Sequence, residues 1–174
     1  MSKIKTTGYW TFFCNPKYWA VDEFLLKIKP NFKSEYRITS WQRNFFEKGQ
    51  LGVIRVGIDS RSKAQLNGRK KLNKGVYAIV EIIGSPFQQG KSKSDFKINS
   101  HKDESGRLVV PIKYIRNYIK NPILFSDLES DIVIKSDSYL LKGIQAASMP
   151  LLEDSFNRIL LYGEENSKVE LLSI

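Results

Sequence analysis

Hydrophobic residues along this chain fall mainly into short runs of strand length, separated by polar or turn-forming residues. Five runs predict strands, over residues 8–14, 36–41, 51–58, 75–83 and 108–115. The runs at 51–58 and 75–83 are rich in β-branched residues, as strands commonly are. We expect these two strands to pair across the polar loop that joins them.

Helical spacing of apolar residues occurs near both ends of the chain. One predicted helix follows Trp19 and is ended by Lys29-Pro30-Asn31. A second is predicted to begin at Pro150, to place Phe156 and Ile159 on one face, and to end at Gly163. A length of 174 residues favours one compact domain. We therefore predict an N-terminal extension over residues 1–7, a domain over 8–162, and a tail or short strand over 163–174.

Charge changes this picture by indicating a partner. Lys and Arg number 28 against 18 Asp and Glu, so the formal net charge is +10. Such an excess attracts polyanions, of which nucleic acid is the favoured one, although a basic protein without such a partner is the alternative. Most of the candidate phosphate contacts lie in the polar loop 59–74. These residues are Lys63, Arg69, Lys70, Lys71 and Lys74, together with Arg43.

Several classes of chemistry are disfavoured by what the sequence contains. A single Cys and a single His argue against an internal disulfide, a Cys/His zinc site and a His-based triad. Residues 84–92 resemble a phosphate-binding P-loop, but five residues separate Gly84 from Gly90 where the motif needs four. No apolar stretch approaches 18 residues, and no signal peptide is evident. We expect no cofactor, no metal, no catalytic residue and no membrane contact, and a cytoplasmic location.

A Mg²⁺-dependent nuclease is the alternative from the enzyme class. Its metal ligands would be Asp59 and Asp95, with Lys97 stabilising charge at the phosphate. Asp95 and Lys97 belong to a polar, serine-rich segment, whereas a metal site needs a rigid support. A solvated run of charges explains these residues better.

Aromatic residues supply the main candidate binding site. Trp10, Trp19 and Trp41 are the only tryptophans, and all lie in the first quarter of the chain. Flat aromatic faces stack on nucleobases, although tryptophan more often belongs to a core. Polar residues at predicted strand ends or turns would add hydrogen bonds, and a buried thiol would line the pocket. These residues are Asn15, Ser40, Asp59 and Cys14.

The order and spacing of several short motifs resemble an EVE domain of the PUA-like group. The motifs are Tyr9-Trp10-x-Phe-x-Cys-Asn15-Pro16-x-x-Trp19, Ile38-x-x-Trp41, the turn and strand from Lys48, and Gly75-Val-Tyr-Ala-Ile-Val-Glu-Ile-Ile-Gly-Ser-Pro86. Later parts of the resemblance are Val109 to Ile112, Asn121-Pro-Ile123, and Gln145 to Leu151 before the final helix. It spans about residues 8–162, and the basic segment 59–74 is longer than in many relatives.

The resemblance implies an α+β fold: a curved, mostly antiparallel, β-barrel-like sheet with peripheral helices. It also implies a pocket for a flipped, modified base, with Trp19 and Trp41 as its walls. Methylated or hydroxymethylated cytosine in DNA is favoured, within a modification-dependent restriction system that includes a nuclease or motor partner. An RNA-binding PUA/YTH-like module stays open as an alternative.

Overall fold

The computed structural model describes residues 5–90, 106–141 and 148–172, with side chains as far as Lys168. The strands are β1 Tyr9–Cys14, β2 Lys33–Arg37, β3 Leu51–Val56, β4 Gly75–Ile82, β5 Phe87–Gln88, β6 Leu108–Asn117, β7 Ile123–Leu124 and β8 Ser148–Pro150. The helices are α1 Val21–Lys27, α2 Lys63–Leu66, α3 Phe125–Leu128, α4 Ile132–Lys135 and α5 Glu153–Leu172, and Ser40–Gln42 form a 3-10 turn.

All of these strands belong to one mixed sheet with the order β2-β6-β4-β3-β1-β8; β5 pairs with β6 and β7 with β4. β1 and β3 are parallel, and the other pairs are antiparallel. The predicted pairing of residues 51–58 with 75–83 is confirmed as the antiparallel pair β3–β4. The mostly antiparallel character of the sheet is therefore confirmed as well.

Curling of the sheet brings β2 close to β1, although β6, β4 and β3 lie between them in the strand order. The Tyr36 hydroxyl on β2 donates a hydrogen bond to the Phe13 carbonyl on β1. The rings of Tyr36 and Phe12 are 4.6 Å apart. Contact between strands so far apart in the order requires strong curvature, so the sheet forms a half-barrel.

Two hydrophobic cores hold this half-barrel together, one on each face of the sheet. The inner core contains Trp10, Phe12, Ile54, Val80 and Tyr114, and α1 adds Val21, Phe24 and Leu25 to it. The outer core is formed where the C-terminal helices cover the sheet, and it includes Val53, Ile79, Leu128, Phe156 and Ile159. Alternate residues of β3 and β4 serve the two cores, which explains why these strands read as continuous hydrophobic runs.

The last helix is longer than the sequence predicts. The prediction that Gly163 ends it, and that residues 163–174 form a tail or short strand, is wrong because α5 continues to Leu172. Gly163 lies against the Tyr118 side chain, and a Cβ there would be 2.6 Å from the Tyr118 hydroxyl. The glycine therefore permits close packing and does not mark a terminus.

The strand predicted over residues 36–41 is placed differently in the structure. β2 ends at Arg37, and Trp41 lies on the 3-10 turn. Local hydrogen bonding explains this, because Gln42 Oε1 accepts from both the amide (3.2 Å) and the hydroxyl (2.9 Å) of Thr39. This closed loop competes with strand pairing.

Some sequence predictions concern residues outside the described ranges. They include Asp95, Lys97, and residues 145–147 of the motif before the final helix. Of the helices in the described ranges, none combines the length and hydropathy needed to span a bilayer.

Candidate nucleic-acid interface

Trp41 is the exposed tryptophan of the predicted pocket, and hydrogen bonds anchor the turn that carries it. The adjacent Gln42 is only 1% exposed. Its side-chain amide donates to the Ser148 carbonyl (2.7 Å), and its Oε1 accepts from the Ser148 hydroxyl (2.8 Å). Trp41 itself is 48% exposed and contacts Phe45 edge-on, with ring centroids 6.0 Å apart. A large part of the indole is thus available to a ligand, on a turn anchored to β8.

Two further predicted residues share this turn with Trp41. Ser40 and Arg43 are both exposed, and Arg43 forms no salt bridge with a described residue. We call Ser40, Trp41, Arg43 and Phe45 the Trp41 patch. The patch offers an aromatic surface, a hydroxyl group and a guanidinium group. These are groups that stack on a base, bond to its edge and contact a phosphate.

Trp10 and Cys14, by contrast, belong to the inner core. Trp10 is 0% exposed, stacks on Phe46 with centroids 4.2 Å apart, and donates its indole N–H to Gln50 Oε1 at 2.8 Å. Cys14 is buried, and this burial raises the pKa of its thiol. Alternation along β1 directs both side chains to the core beside Phe12, so Trp10 has no exposed face for stacking. Cys14 is buried as predicted, and its place in the lining of a base pocket stays a prediction.

Trp19 and Asn15 lie in the segment that follows β1. Trp19 is half-buried, and its ring is 4.9 Å from that of Phe24. Asn15 Oδ1 accepts from the Lys17 amide at 3.0 Å, and the Asn15 carbonyl accepts from the amides of Tyr18 and Trp19. Asn15 therefore builds the turn that leads into α1. Their predicted role as pocket wall and hydrogen-bonding group stays a prediction.

Asp59 is committed to a buried ion-pair network. The side chain of Arg61 is 0% exposed and forms two salt bridges. Its Nη2 lies 2.7 Å from Asp59 Oδ2, and its Nη1 lies 2.9 Å from Asp22 Oδ1. The Leu72 amide also donates to Asp59 Oδ2 at 2.9 Å. Burial by itself would raise the pKa of Asp59, but hydrogen bonds from Arg61 and from the Leu72 and Arg61 amides outweigh it and lower the pKa.

With its oxygens occupied in this way, Asp59 is poorly placed to contact a base, as predicted for it, or to bind a metal, as the nuclease alternative requires. Either role would leave Arg61 unpaired in the interior, which is costly. The described residues also contain no group of three or more His, Cys, Asp and Glu side chains that could hold a metal ion.

Arg69 extends the same network and is not a free phosphate contact as predicted. Its Nε lies 3.1 Å from Asp22 Oδ2, and its Nη1 contacts the Glu23 carboxylate. These pairs attach the 59–74 segment to α1. The four lysines predicted with it are all exposed: Lys63, Lys70, Lys71 and Lys74. Arg61 and Arg69 balance two of the three nearby carboxylates, and the four lysines exceed the one that remains, so the segment presents a net positive charge to solvent and ligands.

Two contributors to this surface could not be recognised in the sequence. Gln42 and Arg61 are polar residues in polar segments, and only their partners Ser148 and Asp22 reveal them as buried anchors. The single local signal was the Asp59-x-Arg61 spacing, since side chains two residues apart can pair within a turn. Asp22 is 39 positions from Arg61 in sequence.

Solved structures share this architecture. A hypothetical protein from Leishmania major superposes with a TM-score of 0.61 and 16% identity, covering 92% of this chain and 97% of that chain. Human THYN1, in a complex with DNA containing 5-methylcytosine, superposes with a TM-score of 0.55 and 16% identity, covering 88% of this chain and 95% of that chain. The DUF55 domain of human thymocyte nuclear protein 1 superposes with a TM-score of 0.54 and 15% identity, covering 88% of this chain and 96% of that chain.

The chain has the fold of these domains. The predicted PUA-like architecture, a curved sheet with peripheral helices, is therefore confirmed. Neither protein-family models nor curated proteins give a match to the sequence. At such low identity the similarity establishes architecture, and function has to be argued from the sites.

Proposed function

We propose that this protein is a DNA-binding module that recognises a modified base flipped out of the duplex. The observation that carries the proposal is the fold it shares with human THYN1, whose structure contains DNA with 5-methylcytosine. The Trp41 patch and the exposed lysines of the 59–74 segment supply the two kinds of contact that such binding needs. Base contacts give specificity, and phosphate contacts give affinity.

Trp41 supplies the stacking surface in this proposal. Flipping a base costs a few kcal/mol, and stacking on an aromatic side chain returns about 1–3 kcal/mol per base. The turn is already fixed by Gln42 and Ser148, so little conformational entropy is lost when the base arrives. Ser40 would bond to the edge of the stacked base, and Arg43 to the adjacent phosphate.

Cytosine carrying a methyl or hydroxymethyl group is the base we favour. Burying a methyl group contributes only about 0.8 kcal/mol, or about fourfold in affinity. Greater discrimination requires the pocket to bond to the polar edge of the base as well. We place this activity in a modification-dependent restriction system, in which the nuclease or motor function belongs to a partner.

The nuclease alternative loses its first metal ligand, because both Asp59 oxygens bond to Arg61. The RNA-binding alternative predicts a different nucleic-acid preference. Both alternatives are therefore outcomes of one binding experiment.

The test is a fluorescence-anisotropy titration of the full chain. Its probes are matched duplexes with cytosine, 5-methylcytosine, 5-hydroxymethylcytosine or N6-methyladenine, and an RNA of the same sequence, in EDTA and in Mg²⁺. We expect tighter binding to one modified-cytosine duplex and intact DNA after incubation with Mg²⁺. Equal affinity for all duplexes, a preference for RNA, or Mg²⁺-dependent cleavage would each reject the proposal.

A further inference from the structure

Ile58 is 72% exposed although it lies only two residues beyond the end of the central strand β3. Its backbone is held on both sides. Gly57 lies against the Phe13 ring, where a Cβ would be 2.9 Å from Phe13 Cε2. Asp59 is buried and bonded to Arg61 and the Leu72 amide. The structure thus fixes the main chain and projects an isoleucine side chain into solvent.

The surroundings of Ile58 are cationic. The hydrogen bond from the Leu72 amide to Asp59 brings the 70–74 segment, with the exposed Lys71, against the residue that follows Ile58. Arg61 and Arg69 balance two of the three carboxylates that they contact. The exposed lysines of the 59–74 segment exceed the one negative charge that remains, so this surface is net positive. A single apolar side chain in a cationic surface fits a nucleic-acid duplex, which presents phosphates outside and apolar base faces within.

Ile58 and the Trp41 patch lie on either side of β1. On one side, Gly57 contacts Phe13 of β1. On the other, Phe12 of β1 pairs with Ser148 of β8, and Ser148 bonds to Gln42 beside Trp41. One duplex lying along this part of the surface would meet an apolar projection and an aromatic patch together.

We propose that Ile58 is the wedge of this interface: it inserts between base pairs and occupies the space that the flipped base leaves. This inference rests on the proposed function. Bending or opening a duplex costs free energy because neighbouring bases lose part of their stacking. An inserted apolar side chain contacts the exposed base faces and so replaces part of that lost stacking. Ile58 would then act on the opening step, while Trp41 acts on the opened base.

The test compares Ile58→Ala with the wild-type protein on two duplexes. One carries 5-methylcytosine paired with guanine, and the other carries it opposite an abasic site, where flipping is already easy. We expect Ile58→Ala to bind the paired duplex about tenfold more weakly and the abasic duplex less than about threefold more weakly. A 2-aminopurine next to the target base should brighten with wild-type protein and brighten less with the variant.

Two variants serve as controls. Ile132→Ala removes another exposed isoleucine, 84% exposed on α4, and should leave both affinities unchanged. Ile58→Leu keeps the apolar bulk and should behave like the wild type, which separates loss of the wedge from a local folding defect. Thermal unfolding of all three variants checks their stability.

The outcomes separate the wedge from the function on which it rests. The wedge is rejected, and the proposed function stands, if the wild type prefers modified DNA and Ile58→Ala binds both duplexes as tightly as the wild type does. The same conclusion follows if Ile58→Ala loses affinity equally for both duplexes. If the wild type shows no preference for modified DNA, the proposed function is rejected and the wedge with it.

Discussion

At the scale of single residues, exposure on a fixed backbone distinguishes Trp41 from the other two tryptophans. Trp10 fills the inner core and Trp19 packs on Phe24, whereas about half of Trp41 faces solvent. Trp41→Ala should therefore weaken binding to modified DNA by about 1–3 kcal/mol. It should destabilise the fold by less than the roughly 3–5 kcal/mol that a buried tryptophan costs.

A titration over modified and plain duplexes, paired with thermal unfolding, measures both effects of Trp41→Ala. Phe87→Ala is the matched control, since Phe87 is 40% exposed on β5. A stable Trp41→Ala protein with unchanged preference would remove Trp41 from the site. Loss of the fold would assign it a structural role instead.

At the scale of elements, the basic segment 59–74 divides into an inner and an outer set of cations. Arg61 and Arg69 attach it to α1, and Lys70, Lys71 and Lys74 remain exposed. Replacing these three lysines by alanine should weaken binding to modified and plain duplexes alike and reduce the salt slope by up to about 3 units. Discrimination should persist, because phosphate contacts carry no sequence information.

The control for the lysine variant removes the same charge from other exposed positions. Lys5, Lys135 and Lys168 are exposed outside this segment, so their triple alanine variant also has a net charge of 10 − 3 = +7. Titrations from 50 to 300 mM salt should show weaker binding and a smaller salt slope for the first variant than for this control. Equal losses of affinity in the two variants would mean that the net charge of the protein, and not the position of the lysines, governs DNA binding.

At the scale of the whole molecule, Arg61 connects the 59–74 segment to α1 through two buried carboxylates. Arg61→Met would leave Asp22 and Asp59 without their main cation and should cost about 3–5 kcal/mol at pH 7. Urea unfolding measures this loss. Arg158→Met is the control, because Arg158 is half-exposed at its ion pair with Asp131 and should matter far less.

The pH dependence of stability reports on the same network. The pKa of Asp59 is lowered in the folded protein, so its ion pair stabilises fully above the unfolded value of about 4. That contribution is lost as the pH falls through the lowered folded value. The deficit of Arg61→Met should consequently shrink between pH 5 and pH 3 in urea unfolding. A deficit independent of pH would argue that Arg61 stabilises by packing alone.

The sequence by itself determined the elements whose signals are local. The hydrophobic runs located β1, β3, β4 and β6, the spacing after Trp19 located α1, and the excess of lysine indicated a polyanion. The order of short motifs also led to the PUA-like architecture, which the solved structures bear out. The strand, helix and charge signals are contained in neighbouring residues or in composition, and the architecture came from a resemblance in the order of motifs, so no knowledge of distant contacts was needed.

Tertiary structure alone decided which members of the predicted site reach the surface. Trp41 is exposed because its turn is held to β8 through Gln42 and Ser148, which are 106 positions apart in sequence. Asp59 and Arg69 read as solvent-facing charges until Asp22, far away in sequence, brings them into one network. Burial and ion pairing depend on long-range contacts that hydrophobic periodicity does not encode, which is why side-chain roles were harder to predict than strands.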